Sequence, residues 1–400
     1  MMECPEPTPS LSLTLNPQAG SAITRFMSTP EQREQTASQL QSAISRASQM
    51  TAFVGLDGFV DEILHVVDKR ENAEKYLRLP KIAQLADRLA AAAGRSTNVE
   101  LVSQLTKLGG NGPIMANALA SFGIQVTYLG ILGYPNLHPV FADFAKRAEL
   151  HSIAEPGYTD ALEFEDGKIM LGKHQSLKQM NWENIKSRFG QDQFAARIGS
   201  ADLVGFVNWT MLTHMSDIWS AVLKEICPGM KGPRRKLFID LADPEKRTRE
   251  DIAGALGLIA AFQKHFDVIL GLNEKEGFEI GKVLGLSTDD HSPDGLLKLC
   301  REIHQRVPVG SLVIHPTAYA LASGPDGTAM VQGPFTPKPK ITTGAGDHFN
   351  SGFCLGKLLG FSTERCLLTG VTTSGFYVRT GQSPSVADLA GMMRNWPVGV

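Results

Sequence analysis

The residues of this chain best suited to chemistry form a short glycine-rich turn near its C-terminal end. Gly344, Ala345 and Gly346 lead directly into Asp347, and a helical pattern follows. A helix N-terminus presents unpaired backbone N–H groups and a partial positive charge, and glycine lets an anion approach that backbone closely. The aspartate could then accept a hydroxyl proton while the amides stabilise charge on a transferring group. The alternative is an ordinary tight turn followed by a first-turn acid that the helix dipole favours.

Two common phosphate-binding motifs do not describe this turn. A dinucleotide fingerprint reads G-x-G-x-x-G, but Phe349 occupies the position of the third glycine. A Walker A loop needs a Ser or Thr after its Gly-Lys pair, and the nearest runs, residues 277–282 and 352–357, lack both that residue and the spacing. The turn therefore belongs to neither class.

Six short apolar runs predict the strands that must position such a turn. Each is rich in Val, Ile, Leu and Phe, which is typical of strands covered on both faces, and the gaps between them leave room for crossover helices. The runs are AFVGL from residue 52, VTYLGIL from 126, DLVGFV from 202, KLFID from 236, DVILGL from 267 and SLVIH from 311. This alternation predicts an α/β fold with a doubly wound, mostly parallel sheet flanked by helices.

Two segments fit the pattern less well, and together they predict a small β-rich lid. The first spans about residues 62–107, and its clearest feature is an amphipathic helix around Leu85. The second spans about residues 155–173 and alternates like a hairpin with its turn at Asp166-Gly167. Both would be insertions in one α/β domain that covers residues 51–400.

Residues 1–50 form an N-terminal extension ahead of that domain. Its first 28 or so residues are rich in Pro, Ser and Thr, which predicts partial disorder. Thr29 and Gln32 have the spacing of a capping box, with a proline between them in the first turn, and predict a helix over about 30–49.

Composition excludes several classes of protein. The chain has 400 residues, 42% of them hydrophobic, and a formal charge of -2 with no long basic run, so we expect a globular protein that does not bind nucleic acid. No signal peptide pattern and no apolar run of about 20 residues is present, so we expect a cytoplasmic protein without a membrane partner. The five cysteines are widely spaced and suggest neither a disulfide framework nor a zinc site.

The glycine turn and three other stretches resemble the signatures of the ribokinase-like (PfkB) carbohydrate kinases. TTGAGDHFNSGF is similar to the C-terminal signature of that family, and KLGGNGPIMANALASFG, residues 107–123, is similar to its double-glycine signature. LNEKE at 272–276 contains the Asn-x-x-Glu element, and VRTGQSPS at 378–385 looks like the closing loop. The landmarks occur in the family's order over roughly residues 51–400. The resemblance implies a ribokinase-like fold with a small β lid over a sugar site.

The resemblance also implies an activity, the transfer of the γ-phosphoryl group of ATP to a hydroxyl of a sugar or sugar-like molecule, with Mg²⁺. Asp347 would be the base that activates the hydroxyl. The amides of Gly344, Ala345 and Gly346 would form the anion hole for the transferring group, since such transfer depends on positioning and charge stabilisation.

For the acceptor, Asp61 falls where the family's sugar-binding aspartate lies, and Asp57 is an additional acid at the end of the first strand. Two acids on one turn could bind a polyol, because a carboxylate accepts hydrogen bonds from neighbouring hydroxyls, although either could cap the next element. Gly109, Gly110 and Asn111 would lie beneath the sugar, with the glycines allowing close approach of the backbone.

For the nucleotide, Asn273 and Glu276 follow a strand at the edge where open α/β sheets bind ligands. They would hold Mg²⁺ through ordered water, since Mg²⁺ keeps several waters and needs few protein oxygens. Their alternative role is a capping asparagine with a first-turn acid. Thr317 and Gly381 would also contact the nucleotide.

Departures from the family pattern limit what the resemblance implies. Ile341 replaces an aspartate associated with the monovalent-cation site, which puts activation by such a cation in doubt. The phosphate loop expected after SLVIH reads PTAYALA, without a glycine, and Pro316 supplies no N–H.

Two alternative functions fit the same residues. One is a nucleoside kinase, in which Trp209 or Tyr134 would stack on a base. The other is a catalytically weak relative that binds a metabolite and regulates a partner. For the kinase, the small-molecule acceptor is the expected partner, together with a second copy of the chain paired through the lid.

Overall fold

The structure is a computed structural model that describes residues 26–397 and contains two β-sheets. The predicted disorder near the N-terminus falls mostly on residues 1–25, which lie outside the described residues. The strands are β1 (Thr51–Gly55), β2 (Phe59–Arg70), β3 (Tyr76–Arg78), β4 (Leu101–Gly109), β5 (Gln125–Gly130), β6 (Glu149–Ser152), β7 (Gly157–Phe164), β8 (Gly167–Lys173), β9 (Leu203–Phe206), β10 (Arg235–Asp240), β11 (Phe266–Asn273), β12 (Ser311–His315), β13 (Tyr319–Gly324) and β14 (Gly327–Gln332).

Helices connect these strands and cover the larger sheet. They are α1 (Pro30–Ser42), α2 (Ile44–Ala47), α3 (Ile82–Ala91), α4 (Asn111–Ser121), α5 (Ala142–Ala145), α6 (Trp182–Arg188), α7 (Gln191–Ser200), α8 (Met215–Ala221), α9 (Arg249–Phe262), α10 (Glu274–Val283), α11 (Pro293–Arg306), α12 (Ala345–Leu359), α13 (Thr363–Thr380) and α14 (Val386–Arg394). Short 3-10 turns fill some of the connections.

The larger sheet has nine strands in the order β14-β13-β12-β11-β10-β9-β1-β5-β6. Its pairings are parallel, except for the antiparallel pairs β12–β13 and β13–β14. All six predicted strands are present in it, and the predicted doubly wound, mostly parallel sheet is confirmed. On β1, Phe53 packs into one hydrophobic core while Ala52 and Val54 pack into another. Burial on both faces explains why these strands read as continuous apolar runs.

The smaller sheet forms the lid. Its central strand, β2, pairs antiparallel with β4 and β3 and parallel with β7, which pairs antiparallel with β8. A small core that includes Leu64, Leu85 and Leu162 lies under it, and Leu85 comes from the predicted amphipathic helix, now α3. The hairpin turn is one residue earlier than predicted, because Gly167 pairs with Phe164 and leaves residues 165 and 166 as the turn.

The segment at 62–107 contributes more strand than its pattern predicts. Most of β2 and β4 lies within it, and only α3 was recognisable from its period. These strands have polar residues on both faces, so their alternation is weak in the sequence. The lid is therefore assembled from two segments distant in the chain, joined by the parallel pair β2–β7.

The range predicted as one N-terminal helix contains α1 and α2, separated at Ala43. The capping box at Thr29 and Gln32 is formed in both directions. Within residues 26–397, no helix is long and apolar enough to cross a membrane.

Candidate active site

The glycine turn opens the buried helix α12. Gly344 has φ 90°, a conformation that costs a side-chain-bearing residue energy, and it precedes the first helical residue. Two aromatic side chains hold the turn: the Tyr377 hydroxyl donates to the carbonyl oxygen of Thr343 at 2.9 Å, and His348 Nδ1 lies 2.7 Å from the carbonyl oxygen of Gly344. Their rings stack with centroids 3.6 Å apart. The turn is therefore fixed by side chains on α12 and α13.

One of the three amides predicted to form the anion hole already donates a hydrogen bond within the turn. The amide of Ala345 donates to the carbonyl oxygen of Thr342 at 3.1 Å. Gly346 lies in the first turn of α12, where amides have no partner within the helix. An anion at this turn would thus compete with Thr342 for the amide of Ala345.

Asp347 follows the turn and is only 7% exposed. Its Oδ1 accepts a 3.0 Å hydrogen bond from Nδ2 of Asn111, at the start of α4. Burial raises the pKa of Asp347 to about 7, the Asn111 hydrogen bond opposes this rise, and the negative charges of Asp57 and Glu276 add to it. A carboxylate with a pKa near neutrality can accept a proton and release it again at physiological pH.

Three consecutive residues, Gly109, Gly110 and Asn111, connect Asp347 to the lid. A Cβ at Gly109 would lie 2.4 Å from the carboxylate of Asp61, and Gly110 adopts φ 97°. Asn111 then reaches Asp347. Because two glycines separate the two acids along this short path, backbone rather than side chains forms the surface between them.

The sequence allows Asp57 either to share the face of one turn with Asp61 or to cap the next element, and its carboxylate caps the start of α4. Its side chain is fully buried, with Oδ2 accepting from the amide of Asn111 at 3.0 Å and from Asn208 Nδ2 at 2.7 Å. Oδ1 accepts from the amide of Gly112 at 2.9 Å and from the Tyr128 hydroxyl at 3.1 Å. Burial raises the pKa of Asp57 to about 6. The carboxylate thus ties the end of β1 to the start of α4, and a polyol site shared by both acids is not formed.

Asp61 lies on β2, in the lid, opposite Lys107 on β4 and beside Thr159 on β7. Its residue is 6% exposed, and burial raises the pKa of Asp61 while the charge of Lys107 opposes that rise. Burial also lowers the pKa of Lys107. The lid therefore presents a carboxylate and an ammonium group on one face, directly above Gly109.

Asn273 and Glu276 form the capping box that begins α10. The Asn273 side chain accepts from the amide of Glu276 at 3.0 Å, and Glu276 Oε2 accepts from the amide of Asn273 at 2.8 Å. Glu276 Oε1 accepts from the amide of Asp243 at 2.9 Å. The capping role is therefore present, and because both carboxylate oxygens are engaged, these residues fit Mg²⁺ only through bound water.

Negative charge is concentrated between these elements. Asp240, at the end of β10, is buried, and its pKa is raised by burial and by the charges of Glu276 and Asp347. Asn350 Nδ2 donates to Asp240 at 3.0 Å, while Asn350 Oδ1 is buried without a hydrogen-bond partner. Among the described residues no group of three or more His, Cys, Asp or Glu side chains could itself hold a metal ion. Asp240, Glu276 and Asp347 thus lie close enough for the charges of the other two to raise the pKa of Asp240.

A cavity of about 400 Å³ opens on the other side of the glycine turn. Its polar lining includes Asn273, His315 and Thr317, together with Ala345 and Gly346 of the turn. The remaining lining is largely apolar and comes from β13, α12, α13 and the segment 333–342. A cavity of this size, with the first backbone amides of a helix at one end, has room for a ligand such as a nucleotide.

Thr317 thus lines the cavity as the sequence placed it, and Gly381 does not. Gly381 ends α13 with φ 73°, and a Cβ there would meet the side chain of Lys340 at 3.7 Å. A role for Gly381 in nucleotide binding remains a prediction.

Several residues that complete the site are not predicted from the sequence. Tyr128, on β5, and Asn208, just after β9, meet Asp57, and His348 and Tyr377 hold the turn. His348 and Asp240 carried a weak signal, since one follows Asp347 and the other ends a predicted strand. Trp209, considered for stacking on a base, is completely buried, with Arg247 over its ring.

Asn111 gives a first testable prediction. Because its hydrogen bond lowers the pKa of Asp347, Asn111→Ala should raise that pKa. The low-pH limb of kcat/KM, which falls about tenfold per pH unit below the pKa of an essential base, should then move to higher pH. Asn117→Ala, on the same helix, should leave the limb where the wild type has it. An unchanged limb in Asn111→Ala would show that Asp347 is not the titrating group.

Comparison with known proteins finds a matching family model, a similar curated protein and solved structures with the same fold. The family model described as prokaryotic ketohexokinase matches residues 30–396. A ketohexokinase from Haloferax volcanii is 29% identical over 337 residues, which cover 84% of this chain and 88% of that protein. Arabidopsis thaliana ribokinase, solved with ribose and ATP, superposes with a TM-score of 0.60 at 15% identity over 86% of this chain and 98% of that one. Escherichia coli phosphofructokinase-2, in complex with substrates and products, gives 0.59 at 14% identity over 87% and 99%.

Proposed function

The chain belongs to the prokaryotic ketohexokinase family, and we propose that the sugar it phosphorylates is a ketohexose. It is an ATP-dependent sugar kinase of the ribokinase-like fold, and its reaction is phosphoryl transfer to a sugar hydroxyl. Neither a nucleoside kinase nor a weakly active regulatory relative is favoured by these matches. The observation that carries the proposal is the run of Gly109, Gly110 and Asn111, which brings the lid acid Asp61 and the buried acid Asp347 to one backbone surface.

The sugar would lie on this surface under the lid. Asp61 would accept hydrogen bonds from its hydroxyls, and Gly109 and Gly110 would let the ring approach the backbone. Lys107, on the same face as Asp61, can donate to the sugar oxygens. Asp57 holds Asn111 and would act through it as a positioning residue.

Asp347 would accept the proton of the attacking hydroxyl. Asn111 holds its carboxylate by a 3.0 Å hydrogen bond to Oδ1, so one side-chain partner positions the base. The amides of Gly344, Ala345 and Gly346 would stabilise the charge on the transferring phosphoryl group. Water is excluded because the acid is almost fully buried.

ATP would occupy the cavity beside the turn, with Thr317 at its phosphates and Gly381 in the loop that closes over it. Asn273 and Glu276 would order the waters of a Mg²⁺ ion, and the acidic surroundings of Asp240 favour a cation there. Bound Mg²⁺ would neutralise charge on the phosphates during transfer. Ile341 has no carboxylate to offer a monovalent cation, so we do not expect such a cation to activate the enzyme.

Two broader features belong to the same proposal. A homodimer through the lid is supported by Leu105 and Met170, which are 55% and 49% exposed on the lid strands, and sedimentation velocity of the purified chain would test it. A cytoplasmic location is supported by the use of ATP and by the four free cysteines among the described residues, and fractionation of cells would test it.

An acceptor panel tests the proposed function. ADP release should depend on the sugar, and ketohexoses should give a kcat/KM at least about tenfold higher than aldohexoses, ribose or nucleosides, because buried polar groups discriminate by unpaired hydrogen bonds. Asp61→Asn should raise KM for the sugar more than KM for ATP, whereas Asp160→Asn, whose side chain on the neighbouring strand pairs with Lys173, should alter neither. Equal activity on aldohexoses, or turnover without any sugar, would contradict the ketohexose assignment.

A further inference from the structure

His315 ends β12, next to the position where the glycine-bearing phosphate loop is missing. In the sheet it pairs in register with Asn273, and it is followed by Pro316, which has no N–H to offer. The first residue after β12 therefore cannot contribute the amide that a phosphate loop would use. Whatever binds phosphate at this edge must come from a side chain or from the glycine turn.

The ring of His315 lies against the glycine turn. A Cβ at Gly346 would be 3.1 Å from Cε1 and 3.8 Å from Nε2 of His315, so the ring occupies the space that the missing side chain leaves free. On its other side the ring packs on Phe349, with centroids 4.8 Å apart. The imidazole is thus held between the turn and the first residues of α12, and it lines the nucleotide-side cavity.

Nε2 of His315 is buried and has no hydrogen-bond partner. Leaving a buried polar atom unpaired costs free energy, so a ligand in the adjacent cavity that pairs with this atom would recover that cost on binding. No other residue among those described supplies a partner for it. The atom lies beside the amides that would receive a phosphoryl group, so an anionic oxygen is the group that suits a protonated Nε2.

We propose that His315 is a nucleotide-binding residue whose Nε2–H donates to a terminal phosphate oxygen of ATP and ADP, in place of the absent glycine loop. This inference rests on the proposed kinase function. Burial lowers the pKa of His315 to about 4, and a hydrogen bond from the ring to its own backbone opposes that fall. Because Nε2 has no partner, Nδ1 makes that bond, and Nε2 then carries a proton only in the charged ring, which the negative charge of a bound phosphate favours. With Asn273 beside it and Gly346 beneath it, the donor would act on the same phosphates as the turn.

Two substitutions separate the hydrogen bond from the packing. His315→Phe keeps a ring that can stack on Phe349 but has no donor, whereas His315→Gln keeps an N–H group near Nε2. His265→Ala, at the opposite edge of the sheet just before β11, is the matched control. Binding of ADP, of ATP and of adenosine, which has no phosphate, is measured by calorimetry with Mg²⁺ and without sugar.

His315→Phe should weaken the binding of ADP and ATP about 10- to 100-fold, the usual range for one hydrogen bond to a charged group. The affinity for adenosine should stay within about twofold of the wild type. His315→Gln should recover most of that loss, and His265→Ala should bind as the wild type does. Equal weakening of adenosine and ADP, or unchanged ADP binding in His315→Phe, would overturn the inference. Wild-type chain that binds neither nucleotide would instead contradict the kinase assignment, so the two failures are distinguishable.

Discussion

Asp347→Asn should lower kcat by about 10²- to 10⁴-fold, the range that a positioned general base contributes, while ADP binding stays within a few-fold of the wild type. The amide is nearly isosteric and can still meet Asn111, but it cannot accept the hydroxyl proton. Steady-state ADP release with a ketohexose and calorimetric titration of ADP measure the two effects. Near-normal turnover would remove Asp347 from the role of base.

The same substitution should stabilise the fold at neutral and alkaline pH. Because burial raises the pKa of Asp347 to about 7, above its value in an unfolded chain, the carboxyl destabilises the native state increasingly as pH rises from about 4 to about 7. The asparagine cannot ionise and avoids this loss, whose upper limit is about 4 kcal/mol for a shift of about three pKa units. In urea unfolding, the free energy of unfolding of the variant relative to the wild type should be higher at pH 8 than at pH 5. Asp143→Asn, on the surface, should gain nothing.

Asp57→Ala should lower the free energy of unfolding by about 3 kcal/mol or more, since it leaves buried donors unpaired. The amides of Asn111 and Gly112 and Nδ2 of Asn208 lose their acceptor together, while the Tyr128 hydroxyl keeps the carbonyl oxygen of Asp57. Urea unfolding measures the loss, and Asp143→Ala, which pairs only with Lys146 at the surface, should stay within about 0.5 kcal/mol of the wild type.

The kinetics of Asp57→Ala distinguish positioning from direct sugar binding. If Asp57 acts through Asn111, kcat falls, because the hydrogen bond from Asn111 to Asp347 is disturbed. The low-pH limb of the rate profile moves in either case, since the charge of Asp57 also raises the pKa of Asp347. If Asp57 bound the sugar directly, KM for the sugar would rise at constant kcat. The second pattern would contradict the buried position described for this residue.

Much of the larger sheet is predictable from the sequence because its strands are buried on both faces. Val54 and its neighbours form a continuous apolar run in the sequence. The positive φ of Gly344 is also predictable, because glycine is the residue that adopts this conformation most readily. The lid strands are harder to predict, because β2 and β4 carry polar residues on both faces and their register is set by their pairing with each other. Local spacing in the chain holds little information about such a pairing.

The error over Asp57 has a similar origin. Three residues between two acids permit a shared turn, but the side chain of Asp57 points inward to Tyr128 and Asn208. Those partners lie 71 and 151 residues away, so no short motif contains them. The capping box at Asn273 is predictable as an alternative because its pattern is local, with its two side chains only three positions apart.

The chain passes four times between the large sheet and the lid, and three of these passages meet where Phe59 pairs with both Gly109 and Gly157. A rotation of the smaller sheet about this point would move its parts by unequal distances. Asp61, two residues along β2, lies about 7 Å from Phe59, whereas the far end of the strand at Arg70 lies about 36 Å away at about 3.3 Å per residue. A rotation of about 10° would displace Asp61 by only about 1 Å and the far end by about 6 Å, so the lid would open at its rim while the proposed sugar-binding carboxylate stays nearly in place.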